Sequence, residues 1–291
     1  MEEEKKILVT GSNGQLGKEL ERIAPLFPSY HFIFLSKTEL SIDDKESVDA
    51  IFKLHQPNYL INCAAYTAVD KAEEEKEIAF KVNAEAVGIL AESCKEFGTK
   101  FIHISTDYVF DGAATTPYKE DSPVDPGSVY GVSKLEGEKL VLTNDPAAII
   151  IRTSWVYSEY GKNFVKTMLR LLKEKDEINV VNDQLGSPTY AADLAEAILT
   201  IISSGQWQQG IYHYSNEGII SWFDLAMFIK ELSGSHCKIN PIPTSQYPTP
   251  AKRPAYSVLD KKKIQQVYGL RLKNWQDSVA ACIFQLGINP V

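Results

Sequence analysis

The chain has 291 residues, of which 44% are hydrophobic, which is enough for one large domain or for one domain with a smaller lobe. Its formal net charge of −8, without any basic block, argues against a nucleic-acid or membrane-surface binder. The charged start "MEEEKK" does not resemble a signal peptide, and no run of 18 apolar residues predicts a membrane-spanning helix.

Short apolar runs alternate with amphipathic stretches through the first half of the chain. The runs "KKILVT", "HFIFLS", "NYLINC", "KFIHIS" and "AAIIIR" predict strands buried on both faces, because they are almost continuously apolar. Helical patterns lie between them in "QLGKELERIA", "DKESVDAIFKLH", "KEIAFKVNAEAVGILAESCKEFG" and "SKLEGEKLVL". The alternation predicts an α/β fold with a doubly wound, Rossmann-type parallel sheet over residues 1–155.

The second half, residues 156–291, is less regular and predicts a smaller, mixed α/β lobe. Helices are expected in "NFVKTMLRLLKEK", "ADLAEAILTIIS", "SWFDLAMFIKELSG" and "NWQDSVAACIFQLG", and strands in "INVVN" and "GIYHYS". The proline-rich "NPIPTSQYPTPAKRP" predicts a long ordered loop. Some later segments are expected to return to the first domain.

The segment "ILVTGSNGQLG" places Gly11, Gly14 and Gly17 between the first predicted strand and the first predicted helix. Glycines permit a tight turn and a close approach of the backbone to a pyrophosphate, and a helix N-terminus offers N–H groups to the phosphates. The spacing is GxxGxxG, unlike the GxGxxG of the most common dehydrogenase fingerprint, so a plain tight turn stays an alternative. The strand before and the helix after are the context that a dinucleotide site requires.

In dinucleotide sites an acidic residue commonly ends the second strand and binds the ribose 2′-hydroxyl. Here the second predicted strand ends at Ser36 and Lys37, and Glu39 lies three residues beyond Ser36. A serine and a lysine tolerate a 2′-phosphate, so the sequence predicts that NADPH serves at least as well as NADH. A solvated loop is the alternative.

The segment "YGVSK" places Tyr130 and Lys134 about one helical turn apart. A lysine ammonium at that distance favours the phenolate and lowers the pKa of the tyrosine toward the working range. A hydroxyl at the end of "KFIHIST", from Ser105 or Thr106, can bond to a substrate carbonyl while charge develops on its oxygen. The sequence therefore predicts a proton-delivery group.

Together these segments resemble the extended short-chain dehydrogenase/reductases and, among them, the dTDP-4-dehydrorhamnose reductase family. The resemblance runs from residue 10 to about residue 257, through "TGSNGQLG", "NCAAYTAVDKAE", "VNAEAV", "STDYVFDG", "YGVSKLEGE", "RTSWVY", "NFVKTMLRL", "VVNDQLGSPT" and "YPTPAKRPAYS". It implies that NADPH or NADH reduces the C4 keto group of dTDP-4-dehydro-L-rhamnose, giving dTDP-L-rhamnose for surface polysaccharide. Tyr108 follows Asp107 where sugar dehydratases commonly carry a glutamate, which favours simple reduction.

The resemblance also implies roles for single residues. Thr106, Tyr130 and Lys134 would be catalytic. Cofactor contacts, which include Ser36 by the argument above, are expected from Gly11, Gly14, Gln15, Leu16, Gly17, Ser36, Ser41, Ile42, Ala64, Ala65, Tyr66, Thr67, Tyr130 and Lys134. Substrate contacts are expected from Thr106, Asp107, Trp155 and Arg253, the arginine meeting the diphosphate. Alternatives are a core position for Trp155 and a turn cap for Asp107, and Asn83 either braces the active-site backbone or lies on the surface.

Other interpretations stay open. The chain could reduce another nucleotide-linked 4-keto sugar, or could be a non-catalytic dinucleotide-binding regulatory subunit of the same fold. The four cysteines form no CxxC pair, and no histidine or carboxylate cluster has ligand spacing, which predicts reduced thiols, no metal site and a cytoplasmic location. The expected partner is the dTDP-linked sugar, with neither nucleic acid nor membrane, and a homodimer is left open.

Overall fold

The structure is a computed structural model that describes residues 4–288. Residues 1–3, which begin the charged "MEEEKK" segment, and residues 289–291 lie outside the described part. The strands are β1 Lys5–Thr10, β2 Tyr30–Leu35, β3 Tyr59–Asn62, β4 Lys100–Thr106, β5 Ile149–Thr153, β6 Val156–Tyr157, β7 Glu177–Val181, β8 Leu185–Gly186, β9 Thr189–Tyr190, β10 Gly210–Tyr214, β11 Ile220–Ser221 and β12 Lys238–Ile242. The helices are α1 Gln15–Ile23, α2 Lys45–His55, α3 Val69–Ala72, α4 Lys76–Phe80, α5 Ala86–Phe97, α6 Val129–Asn144, α7 Phe164–Glu174, α8 Ala191–Ser203, α9 Trp222–Ser233, α10 Lys262–Tyr268 and α11 Trp275–Gln285.

Six parallel strands form the main sheet in the order β10-β5-β4-β3-β1-β2. The five strands predicted in the first half are all present. The strand order reverses between β1 and β3, where Thr10 pairs with Asn62, so the loops that follow these two strands diverge and leave a crevice at their carboxyl ends. The predicted doubly wound α/β fold is confirmed.

Helices cover both faces of this sheet, which explains the almost continuous apolar runs of its strands. On one face α1 and α8 pack against β1, and Leu20 and Ile198 are fully buried there. On the other face α2 and α5 pack together, and Phe52 and Leu90 are fully buried. Each strand therefore contributes apolar side chains to both faces of the sheet.

Segments beyond residue 155 divide between the sheet and a separate core. Strand β10 pairs with β5, and α8 packs on α1, so both belong to the layers of the main sheet. Helices α7, α9 and α11, with β7 and β12, surround a second core that contains Met168, Leu225 and Val279. The division of the chain at residue 155 stays a prediction.

The loop predicted over "NPIPTSQYPTPAKRP" is wrong in its first part. Residues up to Ile242 belong to β12, which pairs in parallel with β7. Pro241 is compatible with a strand here because, within residues 4–288, β12 pairs with β7 alone, so the missing N–H costs no ladder bond on the open edge. The remainder holds a 3₁₀ turn at Thr244–Gln246 and then an irregular chain up to Arg253.

Within the described residues, 4–288, no helix is long and apolar enough to cross a membrane.

Candidate active site

The glycine loop after β1 lies at the point where the strand order reverses. Gly11 has a φ of +65°, which other residues rarely adopt. A β-carbon at Gly17 would lie 2.6 Å from the carbonyl oxygen of Gly11, so only glycine lets α1 start this close to the loop. No side chain caps α1 at Gly14, which leaves the N–H groups of its first turn open to phosphate oxygens. These residues fit a dinucleotide pyrophosphate.

Two side chains of this loop are already engaged elsewhere. Leu16 is 7% exposed and packs in the core beneath the sheet, so its contribution to a cofactor would come from its backbone. The Gln15 side chain accepts from Asn163 Nδ2 at 2.9 Å and donates to the Val156 carbonyl at 3.4 Å. Gln15 therefore ties the loop to the segment that leads into α7.

The end of β2 differs from the sequence prediction. We expected no carboxylate there, but Glu39 folds back and accepts from the Ser36 hydroxyl at 2.6 Å and from the Ser36 N–H at 2.8 Å. These hydrogen bonds lower the pKa of Glu39, so it is an anion at neutral pH. A turn between Ser36 and Glu39 therefore brings a carboxylate to the end of the strand. The position of Glu39 in the sequence does not predict this turn. Downstream, Ile42 packs in a core, while Ser41 bonds to Asp43 at 2.5 Å.

The Glu39 carboxylate gives a prediction about cofactor choice. An anion at this position repels a 2′-phosphate and accepts from ribose hydroxyls, so Glu39→Gln should shift the ratio of the NADPH and NADH dissociation constants severalfold toward NADPH. Fluorescence titration of both cofactors measures the ratio. Glu46→Gln, an exposed acid on the next helix, is the control and should leave it unchanged. A ratio that is the same in all three proteins would contradict a role for Glu39.

The segment after β3 is clamped by Asn83. This residue lies in a π-helical turn, Lys81–Glu85, which connects α4 to α5. The sequence predicted one uninterrupted helix over this whole stretch. Asn83 is fully buried, accepts from the Tyr66 N–H at 2.8 Å, and donates to the Tyr66 carbonyl at 3.0 Å and to Ser133 Oγ at 3.1 Å. The bracing role is confirmed and the surface position is wrong. Through Tyr66, the clamp fixes the segment Ala64, Ala65, Tyr66 and Thr67 beside the crevice.

The end of β4 supplies Thr106 and Asp107, both buried. The Thr106 hydroxyl donates to Asp107 Oδ1 at 3.0 Å and accepts from the Tyr108 N–H at 3.2 Å. Burial raises the pKa of Asp107 to about 6, although the nearby Ser257 hydroxyl and the hydrogen bond from Thr106 oppose the rise. Among the described residues, its other oxygen, Oδ2, is buried without a hydrogen-bond partner, as are the hydroxyls of Ser105 and Ser257. Buried unpaired polar atoms carry an energetic cost that a bound polar ligand would relieve.

Helix α6 begins at Val129, four residues earlier than the predicted "SKLEGEKLVL" helix, because Ser128 caps it by accepting from the Gly131 N–H at 3.2 Å. Tyr130 and Lys134 therefore lie on one helix, one turn apart. A β-carbon at Gly131 would lie 2.3 Å from the Tyr108 carbonyl oxygen, so glycine brings the helix against the turn after β4. Tyr130 meets Tyr108 edge to face, with ring centres 5.5 Å apart.

The electrostatics of this pair differ from the sequence prediction. Burial raises the pKa of Tyr130, an effect that the nearby Thr106 hydroxyl opposes and that Asp107 and Tyr108 reinforce. Lys134 is not among the groups that shift it, because the lysine Nζ donates instead to the Ile104 carbonyl at 2.7 Å. The lowered tyrosine pKa that we predicted is wrong for this state of the protein. Tyr130 is a neutral phenol at working pH, and so carries the proton that a reduction requires.

Trp155 follows β5 in a strained backbone conformation, with a φ of +49°. Its indole stacks on Trp222 with ring centres 3.5 Å apart, and a β-carbon at Gly186 would lie 2.6 Å from the indole. Trp155 is half-buried, packs beside the second core and also lines an open cavity of about 650 Å³. The structure thus combines a packed position with exposure to the cavity.

Arg253 lines the same cavity and is held by two partners. Its guanidinium donates to Asp70 Oδ2 at 2.6 Å and to the Tyr108 hydroxyl at 3.0 Å. The sequence analysis missed Asp70 and Trp222 and gave Tyr108 no contact, although all three line the cavity. The residues next to them in the sequence form no recognisable motif, and the contacts join residues up to 183 positions apart. Local sequence patterns therefore could not predict these contacts.

In the described part of the chain, no group of three or more histidine, cysteine, aspartate or glutamate side chains could hold a metal ion.

A doubly wound parallel sheet, a glycine loop at its switch point and a Thr–Tyr–Lys group at the ends of β4 and α6 define a nicotinamide-dependent oxidoreductase of the extended short-chain dehydrogenase/reductase class. Within that class, residues 5–288 match the family described as the RmlD substrate binding domain, and the chain belongs to this family.

Several relatives match nearly the whole chain. The dTDP-4-dehydrorhamnose reductase of Aggregatibacter actinomycetemcomitans is 44% identical over 281 residues, which are 93% of this chain and 96% of that protein. The spore coat polysaccharide biosynthesis protein SpsK of Bacillus subtilis is 44% identical over 94% of this chain and 95% of its own. A crystal structure of dTDP-4-dehydrorhamnose reductase from Bacillus anthracis in complex with NADP has a TM-score of 0.93 and 37% identity, over 97% of this chain and 100% of that chain.

Proposed function

We propose that the chain is an NAD(P)H-dependent reductase that converts the C4 keto group of dTDP-4-dehydro-L-rhamnose to a hydroxyl, giving dTDP-L-rhamnose for surface polysaccharide. The observation that carries the proposal is the neutral, half-buried Tyr130 near Thr106, at the end of a sheet whose glycine loop fits a dinucleotide. The names of relatives with 44% identity over nearly the whole chain support the substrate. The proposal includes a cytoplasmic location, which suits the free thiols of Cys63, Cys94, Cys237 and Cys282.

Each catalytic residue has a defined task in this proposal. The bound dihydronicotinamide supplies the hydride for C4. Tyr130 gives its phenolic proton to the C4 oxygen as negative charge grows there, and the Thr106 hydroxyl donates a hydrogen bond to the same oxygen. Lys134 would bind the nicotinamide ribose. Asp107, whose Oδ2 is buried without a hydrogen-bond partner among the described residues, would accept from a sugar hydroxyl.

The cavity on the lobe side would hold the nucleotide sugar. An arginine presents a planar pair of donors that suits a diphosphate, and Asp70 and Tyr108 fix the guanidinium of Arg253 in place. Trp155 offers a broad apolar face to the methyl and ring C–H groups of a deoxysugar. The described residues thus supply complementary contacts for the two chemically different halves of the substrate.

Trp155 gives a test of the sugar contact. Trp155→Ala should raise the KM for the nucleotide sugar and leave the Kd for NADPH nearly unchanged, because the indole lines the substrate cavity and not the glycine loop. Steady-state kinetics and a thermal melt measure both properties. Trp207→Ala is a matched control, since that indole bonds to the Ala147 carbonyl at 2.8 Å and does not line this cavity; it should lower Tm alone. A large fall in Tm with an unaltered KM for Trp155→Ala would assign that indole to the core only.

A turnover assay tests the function itself. Purified protein is incubated with NADPH or NADH and with dTDP-4-dehydro-L-rhamnose, and in parallel with other nucleotide-linked 4-keto sugars. We expect oxidation of the cofactor and formation of dTDP-L-rhamnose. Faster turnover of another sugar would identify a different reductase, and cofactor binding without any turnover would favour a regulatory subunit. Self-association stays a prediction, which light scattering measures in the same samples.

A further inference from the structure

A buried chain of hydrogen bonds runs beneath the crevice from β1 to α6. Thr10 Oγ1 donates to Asn62 Oδ1 at 2.6 Å, Asn62 Nδ2 lies 3.1 Å from His103 Nδ1, and His103 Nε2 lies 3.3 Å from Lys134 Nζ. All four residues are at most 2% exposed. This series of hydrogen bonds crosses β1, β3 and β4 and ends at the catalytic lysine.

The orientation of the Asn62 amide is determined by a backbone group. The Ala64 N–H, which can only donate, lies 3.1 Å from Asn62 Oδ1. The amide oxygen must therefore face Ala64 and Thr10, and the amide nitrogen must face His103. A flipped amide would place two N–H donors against each other in a buried site, at the cost of an unsatisfied donor.

This orientation determines the tautomer of His103. Because Asn62 Nδ2 donates, His103 Nδ1 accepts, and the single proton of the neutral ring lies on Nε2. That N–H points at Lys134 Nζ. An ammonium has three donors and no acceptor, whereas a neutral amine has a lone pair that accepts the N–H. The remaining amine hydrogens serve the Ile104 carbonyl at 2.7 Å.

We propose that His103 is a positioning residue for the catalytic lysine: Thr10 and Asn62 hold it as the Nε2–H tautomer, and this N–H favours the uncharged amine form of Lys134 in the protein without cofactor. An ammonium has no lone pair for this N–H, so uptake of a proton from solvent by Lys134 breaks its contact with His103 Nε2. The proposal deepens the reductase function, on which it rests for its kinetic consequence alone.

The surroundings of Lys134 also favour the amine. Burial lowers the pKa of Lys134 to about 8, so the amine becomes the main form above that pH, and burial lowers the pKa of His103 well below its usual range. Glu138, one turn later on α6, opposes the shift of the lysine, but it is paired with Arg152 of β5 at 2.6 Å. Tyr130, one turn earlier, is a neutral phenol, and Asp107 beyond the end of β4 has a pKa of about 6.

Nitrogen NMR of the cofactor-free protein tests the tautomer without any activity. The chain has five histidines, so ¹⁵N-histidine spectra are simple, and His103→Gln assigns the signal. We expect the Nε2–H tautomer at pH 7, and a Lys134 signal in ¹³C-lysine spectra that titrates well below the surface lysines. An Nδ1–H tautomer, an imidazolium, or a Lys134 that titrates with the surface lysines would overturn the proposal.

Asn62→Asp reverses the donor and acceptor roles along this series of hydrogen bonds with little change in side-chain shape. A carboxylate accepts from Thr10, Ala64 and His103 alike, so His103 should change to the Nδ1–H tautomer and its Nε2 should accept from a lysine ammonium. The Lys134 pKa should rise by about one unit or more. Asn58→Asp is the control, because Asn58 accepts from the Lys6 N–H at 2.7 Å at the opposite end of β3; it should leave both signals unchanged.

The kinetic readout follows in the same variants. In the proposed reduction, Asn62→Asp should shift the basic limb of the pH dependence of kcat/KM to higher pH, by the same amount as the Lys134 pKa rises. Asn58→Asp should leave this limb in place. An unmoved lysine signal in Asn62→Asp would overturn the proposal about His103. Absence of turnover with every sugar in the wild-type protein would instead contradict the reductase function, and the NMR result would stand by itself.

Discussion

Tyr130→Phe should lower kcat of the proposed reduction by about 10²-fold or more. The C4 oxygen gains negative charge as the hydride arrives, and the half-buried phenol near Thr106 is the acid that can neutralise it. Burial raises the pKa of this phenol, so it is fully protonated at neutral pH and ready to donate. Steady-state kinetics of the purified variant measure the loss, and cofactor titration should show that cofactor binding survives.

Tyr108→Phe is the matched control for this prediction. Its ring meets Tyr130 edge to face, and its hydroxyl accepts from Arg253 at 3.0 Å. Removal of this hydroxyl frees the arginine and should act mainly on the KM for the nucleotide sugar. A Tyr130→Phe variant with a wild-type kcat, or one whose loss lies entirely in KM, would remove Tyr130 from the role of proton donor.

Arg152→Met should lower the free energy of unfolding by about 3–5 kcal/mol, because it leaves Glu138 as an unpaired charge in the core. The guanidinium donates to the two carboxylate oxygens at 2.9 and 2.6 Å, and the two side chains are 3% and 2% exposed. Arg152 also lies over the ring of Phe110, with its Cζ 5.0 Å from the ring centre. Urea denaturation of the variant and the wild type measures the difference.

Two comparisons separate burial from the mere presence of an ion pair. Arg170→Met breaks an exposed pair with Glu174, four residues on along α7, and should cost about 0–1 kcal/mol. The double variant Glu138→Leu with Arg152→Met should be more stable than Arg152→Met alone, since no buried charge remains. Equal costs for Arg152→Met and Arg170→Met would contradict this account.

Fold class could be predicted from local pattern alone, for a simple physical reason. Strands β1, β3, β4 and β5 carry apolar side chains on both faces, and such runs are stable only between two layers of helices. The glycine loop was recognisable because the steric demands on Gly11 and Gly17 exclude other residue types. The spacing of Tyr130 and Lys134 likewise follows from one helical turn. These features depend on neighbours in sequence.

Contacts between distant segments could not be predicted in this way. Glu39 takes the acidic position at β2 only because a turn folds it back on Ser36. The partner of Arg253 is Asp70, and Trp155 stacks on Trp222; neither pairing has a periodic signal. Such pairs depend on the strand register and on the way in which loops of the main sheet meet those around the second core. The spacing of residues in the sequence does not predict either of them.

The same division explains the protonation states. The sequence by itself determined that a tyrosine and a lysine share one helical face, and from this we expected the ammonium to lower the tyrosine pKa. Tertiary structure decided otherwise, because it partly desolvates Tyr130 and places His103 and the Ile104 carbonyl next to Lys134 Nζ. A pKa depends on desolvation and on the donors within reach of the group, and both are properties of packing. Residue types and local spacing are written in the chain, whereas their charges are settled only when three strands and a helix enclose them.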